Sequence, residues 1–380
     1  MAVISEGSVY IGPPRLHETG TASIFNSRQS KYPLGSDPWI QATKSAVGFI
    51  KDNGLTIITS LGMNTWELVL TLAADSQIPV IIVLPYPGPW EKPELDSVAT
   101  RFRLDSAISG FLLPGSAQIH RRKENWPIRD ADIAAMADVI FPVSIRSGGN
   151  LDLLLGRYRE KTDDRFRVSY RAATRPRPRY DRYRCSEAIA TTDLLIHFTR
   201  SVGGPWPDES DCDYYQAVLA SDSEYCRSAR QTLLHILETD TIRGSSRNIR
   251  GGFKGVGFTD ASDTNLPELF RYRPRLVNPY FEPYGIGIWR EYAGKLGIRP
   301  VTYVRPDVYE QLADAEKAYY QSPGSDGERW RRENEWRFVG DLCLKGLPRE
   351  YLRVVVPFME ESAAFMGRTS FPIIPFFKNP

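Results

Sequence analysis

Short apolar runs separated by glycine turns and amphipathic stretches fill the first 170 residues. "LTIITS" (55–60) is a β-rich run, and "PVIIVLP" (79–85) is continuously apolar, as strands buried on both faces are. Between them, "NTWELVLTLAADSQ" (64–77) spaces its apolar residues as a helix does. "DADIAAMAD" (130–138) predicts another helix and "VIFPVSI" (139–145) another strand, before "RSGGN" breaks the chain ahead of "LDLLLGRYREK". Strand, turn, helix, strand in repetition predicts an α/β domain, a parallel sheet with helices on both faces.

The pattern changes near residue 185. "DLLIHFTR" predicts a strand and "DYYQAVLASDSEYCRSARQTLLHILETD" a helical stretch. "GGFKGVGFTD", "YGIGIWREYAGKLG", "RPVTYV" and "EWRFVGDLCL" then mix strands and helices, as an α+β domain does. Three parts are expected: an α/β domain over 1–170, a basic Arg/Pro-rich linker over 171–184, and an α+β domain over 185–380.

Residues 165–184, "RFRVSYRAATRPRPRYDRYR", hold eight arginines, one aspartate and two prolines. Proline resists both helix and sheet interiors. Two readings fit: an exposed linker, or a basic strip with interleaved aromatics that contacts phosphates and bases, with Arg175, Arg177 and Arg179 at its centre. The whole chain of 380 residues has a formal net charge of only +2, so total charge does not indicate a nucleic-acid partner. No run of about eighteen apolar residues predicts a membrane span. The start "MAVISEGSVYIG" has no basic region followed by an apolar core, so no secretory signal is expected. Cys185, Cys212, Cys226 and Cys343 form no CxxC pair; a reduced, cytoplasmic protein without a metal site is expected.

Chemistry in the first half centres on two glycine turns. Gly62 lies between a strand and a helix, where free backbone N–H groups and the helix dipole suit an anion. In "RSGGN", Arg146 precedes Gly148 and Gly149, which let a backbone approach phosphate closely. No GxGxxG or GxxxxGK[ST] is present. "IITSLGMNTWELVLTLA", "IPVIIVLP", "WPIRDADIAAMADVIFPV" and "IRSGG", in this order, resemble the DNA-processing protein A and lysine-decarboxylase-like superfamily of Rossmann-like domains. The resemblance covers roughly residues 1–170. It implies a nucleotide, a nucleotide-derived ligand or single-stranded DNA as partner, bound near Gly62, Arg129, Arg146 and Gly148. The glycine-threonine-glutamate motif of its phosphoribohydrolase branch is missing, and Glu67 reads as a first-turn helix acid.

In the second half, "ENEWRF" (333–338) draws the eye. An extended chain puts Glu333, Glu335 and Arg337 on one face and Trp336 and Phe338 on the other. His197 sits in the apolar strand "LLIHFT", with Thr199 on the same side. A lone histidine in such a strand is more often a core residue than a catalyst. "LLIHFT", "GFTD", "EPYGIGI" and "ENEWR" together resemble the ADP-ribosyltransferase-like superfamily over about 190–340. That resemblance implies NAD as donor, His197 and Thr199 on the ribose, Thr259 on the middle strand, Tyr284 against the nicotinamide, and Glu335 and Glu333 as catalytic acids. A carboxylate near C1′ would stabilise an oxocarbenium-like ribose.

The expected protein is therefore a nucleic-acid-associated enzyme acting on a nucleotide or DNA base by ADP-ribosyltransferase-like chemistry, of a kind suited to bacterial DNA modification or phage defence. Two alternatives stand beside it. One is a hydrolase of an unusual DNA base, without NAD and without need of the His197–Thr199 platform. The other is a non-catalytic nucleotide sensor.

Overall fold

The apolar runs of the first half become strands of one sheet, because each is buried along its whole length. These are β2 (Thr21–Asn26), β3 (Thr56–Ser60), β4 (Val80–Val83), β5 (Ser109–Leu113) and β6 (Val139–Ser144), with a short edge strand β1 (Val9–Ile11). Their order is β1-β5-β4-β3-β2-β6. All neighbours are parallel except β1, which pairs antiparallel with β5. The chain steps outward from β2 to β5 and then returns to place β6 on the other side of β2. That reversal makes β2 the topological switch point of a doubly wound sheet. One face carries α1 (Pro38–Asp52), α2 (Asn64–Asp75) and α3 (Lys92–Phe102) over Ile24, Ile57, Ile82 and Phe141. The other carries α4 (Arg122–Met136) and α5 (Asn150–Leu155) near Phe25, Ile58 and Ile81.

The computed structural model describes residues 7–85, 90–113, 115, 122–171, 180–246, 249–261, 270, 281–322 and 334–379. The chain divides into two units, Met1–Arg175 with Gly203–Cys226, and Pro176–Val202 with Arg227–Pro380. The division falls inside the arginine-rich stretch, but it is not linear. Residues 203–226 belong with the first unit, although the sequence puts them in the second half. The reason is packing: α7 (Asp211–Ala220) buries Tyr214, Tyr215 and Val218 in the first unit's core. Arg101 and Arg103 of the α3 region pair with Asp211 (2.6 Å) and Asp213 (2.5 Å). The single helical stretch expected over 213–240 is thus two helices, α7 and α8 (Ala229–Thr239). Ser228 ends the break by capping α8, its hydroxyl accepting from the Gln231 N–H at 3.1 Å.

The second unit begins with α6 (Glu187–Ala190) and is built on a mostly antiparallel sheet. Its strands are β7 (Leu194–Phe198), β9 (Gly255–Asp260), β10 (Gly285–Trp289), β11 (Arg299–Pro300), β14 (Glu335–Val339), β16 (Leu352–Val356) and β17 (Ile373–Pro375), in the order β11-β14-β9-β7-β10-β16-β17. Only β16 and β17 run parallel. Two small pairs lie beside it: β8 (Thr241–Ile242) with β15 (Leu342–Cys343), and β12 (Thr302–Tyr303) with β13 (Tyr320–Gln321). Leu195, Val256, Phe258 and Ile286 pack with Leu233 and Leu237 of α8 on one face; Leu194, Ile196, Val355 and Phe376 pack on the other. The architecture is mixed α/β. Among the described residues, no helix is long and apolar enough to cross a membrane.

Candidate functional site

Because β2, β3 and β6 are parallel neighbours, the chain leaves all three at the same edge of the sheet. Gly62, after β3, and Gly148, after β6, both have positive φ (89° and 68°), which glycine adopts without strain. Both turns therefore sit at the carboxyl edge, on either side of the switch strand. Arg129 reaches the first of them from α4. Its Nη1 donates to the Leu61 carbonyl (3.2 Å), and its Nη2 pairs with Asp130 (2.6 Å). The guanidinium lies over the rings of Trp66 and Trp126 and is 1% exposed. It holds the turn rather than facing a ligand. Arg146 differs: its backbone N–H donates to the Ser27 hydroxyl (2.9 Å), while its side chain is exposed.

Neither glycine turn offers an open anion cradle. The Gly62 N–H donates to the Glu67 carboxylate (3.0 Å), and the Gly148 N–H to the Asp152 carboxylate (2.9 Å). Each following helix closes its own turn with a first-turn acid. Glu67 is thus the first-turn acid the sequence suggests, but it also reaches back to Gly62. Its other oxygen accepts from the Tyr215 hydroxyl (2.7 Å). Burial pushes the Glu67 carboxyl above its ordinary range, against the opposing hydrogen bonds from Tyr215 and Gly62.

Between the turns lie polar atoms that sequence reading did not single out. Asn26 ends β2, and Thr65 lies in the first turn of α2; each is 2% exposed. Among the described residues, Asn26 Oδ1, Thr65 Oγ1 and Gln29 Nε2 are buried without a hydrogen-bond partner. The Asn26 amide is oriented by its Nδ2, which donates to Thr43 Oγ1 (3.2 Å). The chain leaving β2 is tied to the start of α2: Asn64 Nδ2 donates to the Ser30 carbonyl (2.9 Å), and the rings of Phe25 and Trp66 meet edge to face at 5.1 Å. An unmatched buried polar group costs about 1–3 kcal/mol, so three at one sheet edge call for something to bond them. A signal was present in "SIFNSRQS": an apolar run ending abruptly in polar residues is how a strand reaches such an edge.

The second unit distributes its candidates differently. Register pairs Ile196 with Thr259 and Thr259 with Glu335, so these three share one face. His197 is one residue along and lies on the opposite face, where its ring meets Phe258 edge to face at 5.8 Å. Side chains alternate, so the register puts His197 and Glu335 on opposite sides of the sheet. Thr199 is buried and donates to the carbonyls of Ala229 (2.8 Å) and Tyr284 (3.2 Å). His197 Nδ1 lies 2.8 Å from the Gly257 carbonyl, which can only accept, so Nδ1 carries the proton. Burial holds the imidazole neutral, with its pKa pushed down to about 4. The phenol of Tyr284 is buried and donates to Glu361. The polar atoms of Thr199, His197 and Tyr284 already serve the fold.

Glu335 is held instead by Arg337, two residues along on the same face. Arg337 is 2% exposed; its Nη2 meets Glu335 Oε1 at 2.8 Å, and its Nη1 donates to the Ala318 carbonyl (2.7 Å). Trp336 and Phe338 pack against the apolar cluster on the other face, as alternation requires. Glu333, Arg175, Arg177 and Arg179 lie outside the described residues.

No protein-family model matches the chain, and no curated protein matches it. Among solved structures, it is similar to DNA processing protein A from Streptococcus pneumoniae, at 14% identity and a TM-score of 0.32, over 43% of this chain and 53% of that one. It is also similar to DNA processing protein A from Helicobacter pylori, whose structure concerns its single-stranded DNA binding mode, at 14% identity and a TM-score of 0.31, over 41% of this chain and 69% of that one. This chain thus spans about half the length of the Streptococcus protein.

Proposed function

We propose that the first unit binds a nucleotide-type ligand, free or at the end of a nucleic-acid strand, at the carboxyl edge of its parallel sheet. The observation that carries this is the pair of buried, unpartnered atoms Asn26 Oδ1 and Thr65 Oγ1 at the switch strand. Open α/β sheets take ligands in this crevice, and a nucleobase or ribose supplies the matching donors and acceptors. Thermal unfolding with nucleosides, nucleotides, NAD and short single strands tests it. A ligand at a hundred times its dissociation constant adds about 2.7 kcal/mol of stability. Thr65→Val keeps the shape and removes the hydroxyl, and it should abolish that gain. A full gain in the variant would refute the reading.

A second reading concerns the second unit and is favoured by the Arg337–Glu335 pair. A carboxylate clamped through one oxygen is presented rigidly, as a general base or an electrostatic stabiliser must be. Hydrolytic chemistry on a base or nucleotide needs no platform from His197 and Thr199, and it accords with their placement better than transfer from NAD does. Turnover of modified and unmodified nucleotides by Glu335→Gln is the check: loss of about a hundredfold with folding intact supports it, and unchanged turnover removes it.

A further inference from the structure

The carboxyl edge of the parallel sheet carries three carboxylates, Glu67, Asp130 and Asp152, and two guanidinium groups, Arg129 and Arg146. Arg129 is committed to Asp130 and to the Leu61 carbonyl. The Gly62 and Gly148 N–H groups, which a phosphate would use, are bonded to Glu67 and Asp152. A phosphate approaching the Gly62 turn would have to displace Glu67, which the Tyr215 hydroxyl also holds from α7. It would also meet like charge in a partly buried place, where such repulsion is poorly screened. At the same edge, Asn26 Oδ1 and Thr65 Oγ1 are buried and, among the described residues, unpartnered. An acceptor and a hydroxyl, beside a carboxylate with lone pairs to spare, suit a hydroxyl-bearing neutral group.

From this we propose that the edge selects the sugar and base of its ligand and rejects phosphate at the Gly62 turn, with Glu67 as the specificity-determining residue. The ligand class is a nucleoside, or a nucleotide bound sugar-first with its phosphate turned away from the turn. This rests on the nucleotide-type reading above and narrows it. In effect, the acid at position 67 fills internally the place that a phosphate takes at an open glycine turn.

Calorimetric titration separates the two claims. The probes are adenosine, guanosine, cytidine and thymidine, each beside its 5′-monophosphate, against the full chain and the variants Glu67→Gln and Asp152→Asn. For the unaltered protein, at least one nucleoside should bind as tightly as its monophosphate or more tightly. Glu67→Gln keeps an oxygen for the Gly62 N–H but removes the charge, and it should shift the ratio toward the monophosphate by about tenfold or more. Asp152→Asn, at the exposed Gly148 turn, should shift it less. A monophosphate preference of tenfold or more in the unaltered protein, or a ratio unmoved by Glu67→Gln in a variant that unfolds at the normal temperature, overturns the proposal and leaves the nucleotide-type reading standing. If none of the probes binds, both fall together.

Discussion

At the carboxyl edge of the parallel sheet, Asn26, Gln29 and Thr65 hold buried polar atoms without partners, whereas on the antiparallel sheet Thr199, Tyr284 and His197 donate to acceptors inside the protein. Both regions are rich in residue types that do chemistry. What separates them is where the hydrogen bonds go. Thr199 and Tyr284 join β7, β10 and the start of α8, so their polarity is structural. Asn26 and Thr65 are equally buried, yet among the described residues nothing bonds those atoms. Residue type at a suggestive spacing is thus weak evidence for a site, and an unmatched buried atom at a topological switch point is stronger.

The comparison breaks most readily at Arg337. Replacing it by alanine leaves the Glu335 carboxylate and the Ala318 carbonyl without their donor. Denaturant unfolding should register a loss of about 3–4 kcal/mol, as breaking a buried pair does. A loss under 1 kcal/mol would mean that the pair is a surface feature and the second unit has no clamped acid. His197 comes next. Its folded pKa is depressed, so the neutral ring stabilises the fold fully above its ordinary pKa. That contribution is lost as pH falls from about 6.5 to about 4. Stability should drop by about 3 kcal/mol across that window. His197→Gln should flatten the drop, and an equally steep loss in the variant would show that other groups cause it.

Smaller effects sharpen the other side. Glu67 is raised by burial, so its ionised form opposes folding above the raised value, and the penalty vanishes below the ordinary carboxylate range. Asp211 and Arg101 also act on it, in opposite directions. Glu67→Gln should therefore stabilise at pH 8 and change little at pH 4. A destabilised variant at pH 8 would mean that the charge is needed for the Gly62 turn. The smallest shift is expected for Thr65→Val without ligand: an unpartnered hydroxyl contributes no hydrogen bond, so stability should stay within about 0.5 kcal/mol or rise. A loss above 1 kcal/mol would reveal a partner for that hydroxyl.

Much of this was readable in the sequence where periodicity decides. The runs at 55–60, 79–85 and 139–145 are β3, β4 and β6, and the two glycine turns follow β3 and β6. From Glu335 onward, "ENEWRF" alternates as its pattern requires, with Glu335 and Arg337 on one face and Trp336 on the other. Matters of register were not readable. Whether His197 and Glu335 share a face depends on Thr259 standing opposite Ile196 rather than His197, and nothing local fixes that. Nor does local pattern tell that α7 belongs with the first unit, since its partners Glu67, Arg101 and Arg103 lie more than a hundred positions away. Asn26 and Thr65 carry no motif at all. Their placement at the carboxyl edge emerges only once the sheet order sets β2 between β3 and β6.

The most direct test of the central claim is amide hydrogen exchange with and without the tightest-binding ligand from the nucleoside and nucleotide panel. Ligand at the parallel sheet's edge should slow exchange in residues 26–30 and 61–67 and leave 335–339 unchanged. Protection confined to 335–339 and 255–260, with the 26–30 and 61–67 segments unaffected, would contradict it.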